Sequence, residues 1–134
     1  MQNNVISSPV KATVKRTFLN RKEAESRQAE APWGTLRWLA SGDLGNSDAL
    51  TIGYAMIKKG MSNPRHRHKN SEEILHLLRG RLKHTFGDES VTMEPGDTIT
   101  IEAGIFHNAL SIGDCDAEMI VAYPTPNRTF EQEK

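Results

Sequence analysis

The sequence predicts an all-β domain, built as a sandwich or a barrel of short strands. From residue 34 onward, short runs alternate apolar side chains with other ones, as strands with one buried face do. No internal repeat is long enough to build a solenoid. Turn signals separate the runs at short, regular intervals: Gly80, Gly87-Asp88, Pro95-Gly96-Asp97, Gly104 and Gly113-Asp114.

Residues 1–32 are predicted to form an N-terminal arm with a short helical segment. A short strand is expected around residues 10–14. Asn20 and Glu23 have the spacing of a helix N-cap and the residue that pairs with it, and Pro32 bounds the charged stretch that follows. Because this stretch has no apolar stripe, we expect one or two solvated turns there.

Residues 33–126 are predicted to form the β domain. Large side chains at even positions of the run 49–57 alternate with small ones at odd positions. Tyr54 and Met56, on the large-residue face, are expected in the core or the pocket lining, with the core preferred for Tyr54. The small-residue face either lines a cavity or lets another sheet approach. Within the β domain, six further strands are predicted at 73–78, 81–86, 90–93, 98–101, 107–112 and 117–123. Residues 127–134, which follow Pro126, are predicted to be a polar tail.

The length and charge of the chain narrow its class. At 134 residues it is expected to form one domain. Its 17 basic and 17 acidic side chains balance, so no nucleic-acid partner and no membrane surface is expected. A net charge near zero does little to oppose self-association, and an oligomer is therefore plausible.

Three observations favour a cytoplasmic setting. Residues 1–9 lack a basic segment followed by a long apolar stretch, the pattern of a signal peptide. No apolar run approaches the length that spans a membrane. The single cysteine, Cys115, cannot form an intrachain disulfide, which is consistent with a reducing compartment.

Three histidines and a glutamate have the spacing of one open metal site. His66 and His68 lie two positions apart, so on an extended segment they point the same way. Glu73 follows a turn that can bring it back beside them, and His107 lies near the start of a later strand. Glu72 is the rival carboxylate, but Glu73 shares strand parity with apolar residues suited to an interior. Imidazole and carboxylate together suit a borderline divalent metal.

A simpler interpretation competes with the metal site. A lone histidine on a strand is more often a surface or core residue than a ligand, and a His-x-His pair is a weak motif by itself. Arg65, Arg67 and Lys69 flank the pair, so the segment could be only a cationic loop. The combination of pair, glutamate, glycine-bounded hairpin and later histidine favours the metal site.

These residues resemble the two signature motifs of the cupin superfamily. The first motif is glycine, five residues, His-x-His, three or four residues, glutamate, six residues and glycine. The chain matches it throughout, with the four-residue spacer, at Gly60, His66, His68, Glu73 and Gly80.

The second cupin motif is matched with two departures. Gly96, Gly104 and His107 agree with it, whereas Glu102 replaces its proline and Ser111 its asparagine. Neither departure removes a ligand. The resemblance covers residues 50–123 and implies a double-stranded β-helix, a jelly-roll-like barrel, usually as a homodimer with the metal inside.

Other side chains are candidates for roles near the metal. His84 shares parity with apolar neighbours and is expected inside, either as an acid–base group or as a buried histidine bonded to a backbone carbonyl. His76 has the opposite parity to Glu73 and is expected to face outward. Phe106 is expected in the core or the pocket lining. Four arginines could bind a substrate carboxylate, although a solvated or interface role is preferred for all of them: Arg65, Arg67, Arg79 and Arg81.

The leading functional hypothesis is a metal-dependent enzyme that acts on a small polar molecule, such as a carbonyl, hydroxy acid, sugar derivative or oxygenated aromatic compound. A divalent Fe, Mn, Ni, Cu or Zn ion would stabilise an enolate or activate dioxygen. The alternatives are a non-catalytic module that binds or senses a small molecule, and a barrel whose metal only stabilises the fold. The resemblance does not choose between reactions, because one fold hosts many chemistries.

Overall fold

The structure is a computed structural model that describes residues 16–134. The strand predicted near residues 10–14 lies outside this range. The described residues form one short helix and eleven strands: α1 (Arg21–Ser26), β1 (Ala29–Ala31), β2 (Gly34–Ala40), β3 (Thr51–Ile57), β4 (His66–Arg67), β5 (Glu73–Arg79), β6 (Leu82–Phe86), β7 (Glu89–Met93), β8 (Thr98–Ile101), β9 (His107–Ser111), β10 (Ala117–Tyr123) and β11 (Glu131–Gln132).

Two antiparallel sheets make up the domain. One has six strands in the order β1-β2-β3-β10-β5-β8, and the other has five in the order β11-β4-β9-β6-β7. Inward-facing residues of both sheets form a single apolar core; Leu75 and Met119 come from the first sheet, and Leu82 and Ala109 from the second. The predicted jelly-roll-like, double-stranded β-helix is confirmed.

Alternating burial explains why β5, β6, β9 and β10 were predictable, whereas β7 and β8 are mostly exposed. In β10, every second residue is buried and the residues between them are half-buried. The predicted limits of these strands agree with the structure to within one residue at each end. The helix start is also confirmed, because the Asn20 side chain accepts a hydrogen bond from the Glu23 amide at 2.9 Å. The predicted one or two solvated turns correspond to α1, and the rest of the charged stretch contains β1, which pairs with β2.

The large side chains of β3 do not lie where the sequence predicts. The small-residue face is buried, whereas Tyr54 and Met56 lie half-buried on the outer face. The Tyr54 hydroxyl donates a hydrogen bond to Glu118 at 2.8 Å. A Cβ atom at Gly53 would lie only 2.7 Å from the indole of Trp38, so the small residue admits that large ring. The prediction that Tyr54 and Met56 are core residues is therefore wrong.

The segment after Pro126 follows β4 instead of leaving the domain. Glu131 is the register partner of Arg67, and Gln132 is that of His66. The carboxylate of Glu131 lies 3.1 Å from the Arg67 guanidinium. This pairing brings residues 127–133 against the segment that carries two of the predicted metal ligands. The described part of the chain contains no helix long and apolar enough to cross a membrane.

Candidate metal centre

The structure brings the four predicted ligands together. His66 on β4 faces His107 on β9 as its register partner. His68 follows β4 directly, and Glu73 is the first residue of β5. All four side chains are buried, and one potential ligand atom from each lies within 4.8 Å of the others.

Backbone carbonyls orient all three imidazole rings. The Nδ1 atom of His66 lies 2.7 Å from the Pro64 carbonyl oxygen, that of His68 lies 2.7 Å from Thr129, and that of His107 lies 2.9 Å from Ile105. Such contacts place the ring proton on Nδ1, because a carbonyl can only accept. The Nε2 lone pair of each ring is then available to a metal ion, and hydrogen bonds of this kind commonly fix the tautomer of metal-binding histidines.

The contacts at Glu73 fit a shared cation. One carboxylate oxygen, Oε1, lies 3.1 Å from Nε2 of His68 and 2.9 Å from Nε2 of His107. A neutral ring that donates from Nδ1 turns a lone pair toward this oxygen, so either an added proton or a metal ion must offset the repulsion. Ligand atoms about 2.1 Å from one ion and at right angles to each other are roughly 3 Å apart. The four residues therefore fit a divalent metal.

The electrostatics of the group also suit a cation. Burial raises the pKa of Glu73, but the contacts with His107 and His68 outweigh burial and hold that pKa below its usual range. Burial lowers the pKa of His107, although its contact with Glu73 produces a net increase. Burial lowers the pKa of His66 to about 4, so this ring stays neutral near pH 7. An ionised buried carboxylate beside a neutral imidazole is the protonation state that metal ligands need.

A cavity of about 150 Å³ opens beside the four ligands. Its volume matches an engineered cavity that holds one benzene-sized molecule. Apolar side chains of the six-stranded sheet form most of its wall, including Leu36, Trp38, Ile57, Leu75, Met119 and Val121. The polar lining beyond the four ligands comes from Asn63, His84, Tyr123 and Arg128.

Comparison with known proteins identifies the fold family. The family model described as the cupin domain matches residues 53–123. The chain belongs to the cupin family. Over 80 residues it is 29% identical to germin-like protein subfamily 3 member 2 of Arabidopsis thaliana, an alignment that covers 56% of this chain and 35% of that protein. The match to germin-like protein 3-8 of Oryza sativa subsp. japonica is 26% over 83 residues and covers 58% and 37%. This cupin thus spans little more than a third of these relatives.

Solved structures share the fold at low sequence identity. An oxalate oxidase superposes with a TM-score of 0.76 at 17% identity, covering 97% of this chain and 70% of that one. An oxalate decarboxylase of Lactobacillus farciminis gives 0.76 at 16%, covering 98% and 42%. KdgF from Halomonas sp. gives 0.68 at 18%, covering 84% and 96%. At these identities the likeness establishes the fold alone.

His84 of this cupin faces inward, as its strand parity predicts. Its side chain is 1% exposed on β6, lines the cavity, and stacks on His107 with ring centroids 5.8 Å apart. Its Nδ1 atom has no hydrogen-bond partner among the described residues. Burial lowers the pKa of His84 to about 4, so the ring is neutral near pH 7.

The remaining candidates lie away from the cavity. His76 faces outward, where its Nδ1 lies 2.8 Å from the Thr98 hydroxyl. Phe106 packs under the Arg67 guanidinium, 4.5 Å from the ring centroid, and does not line the cavity. Each of the four arginines considered from the sequence is paired with a carboxylate: Arg65 with Glu133, Arg67 with Glu131, Arg79 with Glu118 and Arg81 with Glu94.

Three site residues escape the sequence analysis: Tyr123, Arg128 and Phe130. Tyr123 is buried, with its ring 4.9 Å from that of His68 in an edge-on contact. Its parity with Met119 and Val121 on β10 could have placed it inside. Arg128 and Phe130 line the cavity from the polar C-terminal segment, whose short and unpatterned sequence gives no signal of this packing.

Proposed function

We propose that this cupin is a metal-dependent enzyme that acts on a small polar molecule. His66, His68, Glu73 and His107 would hold one divalent ion of the Fe, Mn, Ni, Cu or Zn group. One observation carries the proposal: three histidines, each fixed at Nδ1 by a carbonyl, and a buried carboxylate converge beside a small cavity. When bound, such an ion supplies Lewis-acid polarisation of substrate oxygen atoms or activation of dioxygen.

The chain contributes binding, exclusion of water and proton transfer. The apolar walls of the cavity exclude water and strengthen charge interactions inside it. His84 is the proposed acid–base group, because its neutral ring lines the cavity and its Nδ1 has no hydrogen-bond partner within residues 16–134. If Nδ1 carries the lone pair, it can accept a proton from a bound molecule. Replacing His84 with Gln should lower turnover while the metal content stays unchanged.

The size of the cavity and the structural neighbours support a small, oxygen-rich substrate. A volume of about 150 Å³ accommodates a molecule of benzene size. Among the structural neighbours, an oxalate oxidase is described in complex with glycolate, and an oxalate decarboxylase as a formate complex. Carbonyl compounds, hydroxy acids, small sugar derivatives and oxygenated aromatic compounds therefore make up the substrate classes to be screened.

Metal analysis is the first test. We expect about one transition metal ion per wild-type chain after reconstitution, and a large loss of metal in His66→Ala and Glu73→Ala. His76→Ala is the matched control, since this histidine faces outward and bonds Thr98. Wild-type protein that takes up no stoichiometric metal would contradict the proposal.

Turnover separates an enzyme from the alternatives. A binding or sensing protein would take up a small molecule stoichiometrically without turnover in every metal form. A purely structural metal would raise the melting temperature while no ligand competed for it. The homodimer and the cytoplasmic setting stay predictions; light scattering after size-exclusion chromatography would test the dimer.

A further inference from the structure

Arg128 differs from every other arginine of the chain in its charge partners. The chain has nine arginines, and the other eight each lie within 3.9 Å of a carboxylate oxygen. Arg128 has no such partner among residues 16–134, and residues 1–15 contain no aspartate or glutamate. Its positive charge is therefore not neutralised by a protein carboxylate.

Aromatic rings hold the Arg128 guanidinium in place. Its central carbon lies 4.4 Å from the ring centroid of Trp38, 5.3 Å from that of Tyr123 and 6.0 Å from that of Phe130. Cation–π contacts of this kind fix the planar group, and they leave the N–H donors on its edge unused. The aromatic surroundings thus orient the group without satisfying its hydrogen-bonding capacity.

The nearest polar contact does not satisfy Arg128 either. Nη1 lies 3.5 Å from Nδ1 of His68, at the upper limit of a hydrogen bond. That nitrogen lies 2.7 Å from the Thr129 carbonyl, so it carries the proton and cannot also accept one. Arg128 nevertheless lines the same cavity as the four clustered ligands.

We propose that Arg128 binds the carboxylate of a small ligand in this cavity. The five guanidinium donors form a planar fork that matches a carboxylate in a bidentate pair. The cavity volume limits the ligand to about the size of benzene. This arrangement selects small carboxylic acids that carry a second oxygen function. The second oxygen would point at the four clustered ligands. The role of that second oxygen rests on the proposed metal function.

The test compares a carboxylate with its neutral amide. Glycolate and glycolamide have nearly the same shape and differ in charge. Both are titrated calorimetrically into metal-free and metal-loaded protein, and the readout is the ratio of their dissociation constants. A metal ion also attracts carboxylates. A preference for glycolate that is measured in metal-free protein can therefore be assigned to the arginine.

Wild-type protein should bind glycolate at least tenfold more tightly than glycolamide in both states. Arg128→Gln should remove this preference in the metal-free protein, and Arg128→Lys should retain part of it, because lysine keeps the charge without the planar fork. Arg81→Gln is the control: this exposed arginine is paired with Glu94, and its loss should leave the ratio unchanged.

Two results would overturn the proposal. One is a wild-type protein that does not bind glycolate, and the other is an unchanged preference in Arg128→Gln, which includes an equal weakening of both probes. Metal content measured on the same samples distinguishes failure of the proposed metal-dependent function from failure of the Arg128 proposal. Wild-type protein that takes up no metal contradicts the first, and the titration of metal-free protein still tests the second.

Discussion

The ring of Phe130 stacks on the imidazole of His66, with centroids 4.9 Å apart and planes inclined by 24°. One residue earlier, the Thr129 carbonyl oxygen lies 2.7 Å from Nδ1 of His68. Two of the three clustered histidines thus contact a segment that follows the last long strand of the barrel. This segment closes one side of the candidate metal centre, although it contributes no ligand of its own.

Replacing Phe130 with Ala should weaken metal binding without unfolding the domain. The stacked ring limits the orientation of His66, and an aromatic pair contributes about 0.5–1.5 kcal/mol beyond its buried area. We expect metal affinity to fall about two- to tenfold, as measured by competition with a chromophoric chelator. Phe18→Ala is the control, since this phenylalanine is 74% exposed. Equal affinities in wild type and Phe130→Ala would show that the stacking does not position His66.

Asn70 fixes the C-terminal segment beside His68. Its side chain accepts from the Thr129 amide at 2.9 Å and donates to the Asn127 carbonyl at 2.9 Å. Asn70→Ala should free the Thr129 carbonyl and lower metal affinity by about tenfold, the low end for loss of a group that orients a metal-binding histidine.

The matched control for Asn70 is Asn46→Ala. The Asn46 side chain likewise bridges a loop, accepting from the Ser41 amide and donating to the Leu39 carbonyl. This change should reduce the free energy of unfolding but leave metal affinity unaltered. A similar affinity loss in both variants would point to general destabilisation.

The strands and ligands of the barrel could be predicted because their patterns are local. Alternating burial along β5 places Glu73 and Leu75 inside and His76 outside, and parity alone gives this result. The same rule places His84 in the interior. The hairpin from His66 to Gly80 needs only short-range spacing, so its candidate ligands could be proposed from the sequence.

Packing that depends on distant partners could not be predicted. Which face of β3 is buried depends on Trp38, which fits against Gly53 from a neighbouring strand. Arg128 and Phe130 lie in a polar stretch whose position is set by pairing with β4, more than sixty residues earlier in the chain. Neither relationship leaves a periodic signal in the segment concerned.

Gly80→Ala should destabilise the domain more than Gly96→Ala. Both glycines have positive φ, +85° and +97°, so either substitution strains the backbone by about 1–2 kcal/mol. A Cβ atom at Gly80 would also lie 2.8 Å from the Ala117 Cα atom, whereas one at Gly96 would contact nothing within 4 Å. We expect an additional loss of about 1–3 kcal/mol at Gly80, as for overpacking. Urea unfolding of metal-free protein measures this difference, and equal losses would contradict it.

Acid should destabilise the metal-free protein partly through His84. Burial lowers the pKa of this ring from about 6.5 to about 4 in the folded state. Between these values the unfolded chain binds a proton at this position that the folded chain does not, so the free energy of unfolding decreases as the pH falls from 6.5 to 4. The contribution of His84 is on the order of 2 kcal/mol. His66 adds a decrease of the same sign, because burial lowers its pKa to about 4 as well.

His84→Gln isolates the contribution of one ring. The variant replaces the imidazole with a polar side chain that does not titrate, so its unfolding free energy should depend less steeply on pH between 6.5 and 4. Denaturant unfolding at several pH values, with chelator present throughout, gives the two slopes. His76→Gln is the control, because that half-exposed ring on the outer face of β5 loses less hydration on folding. A slope in His84→Gln equal to that of wild type would show that the buried imidazole is not a source of the acid sensitivity.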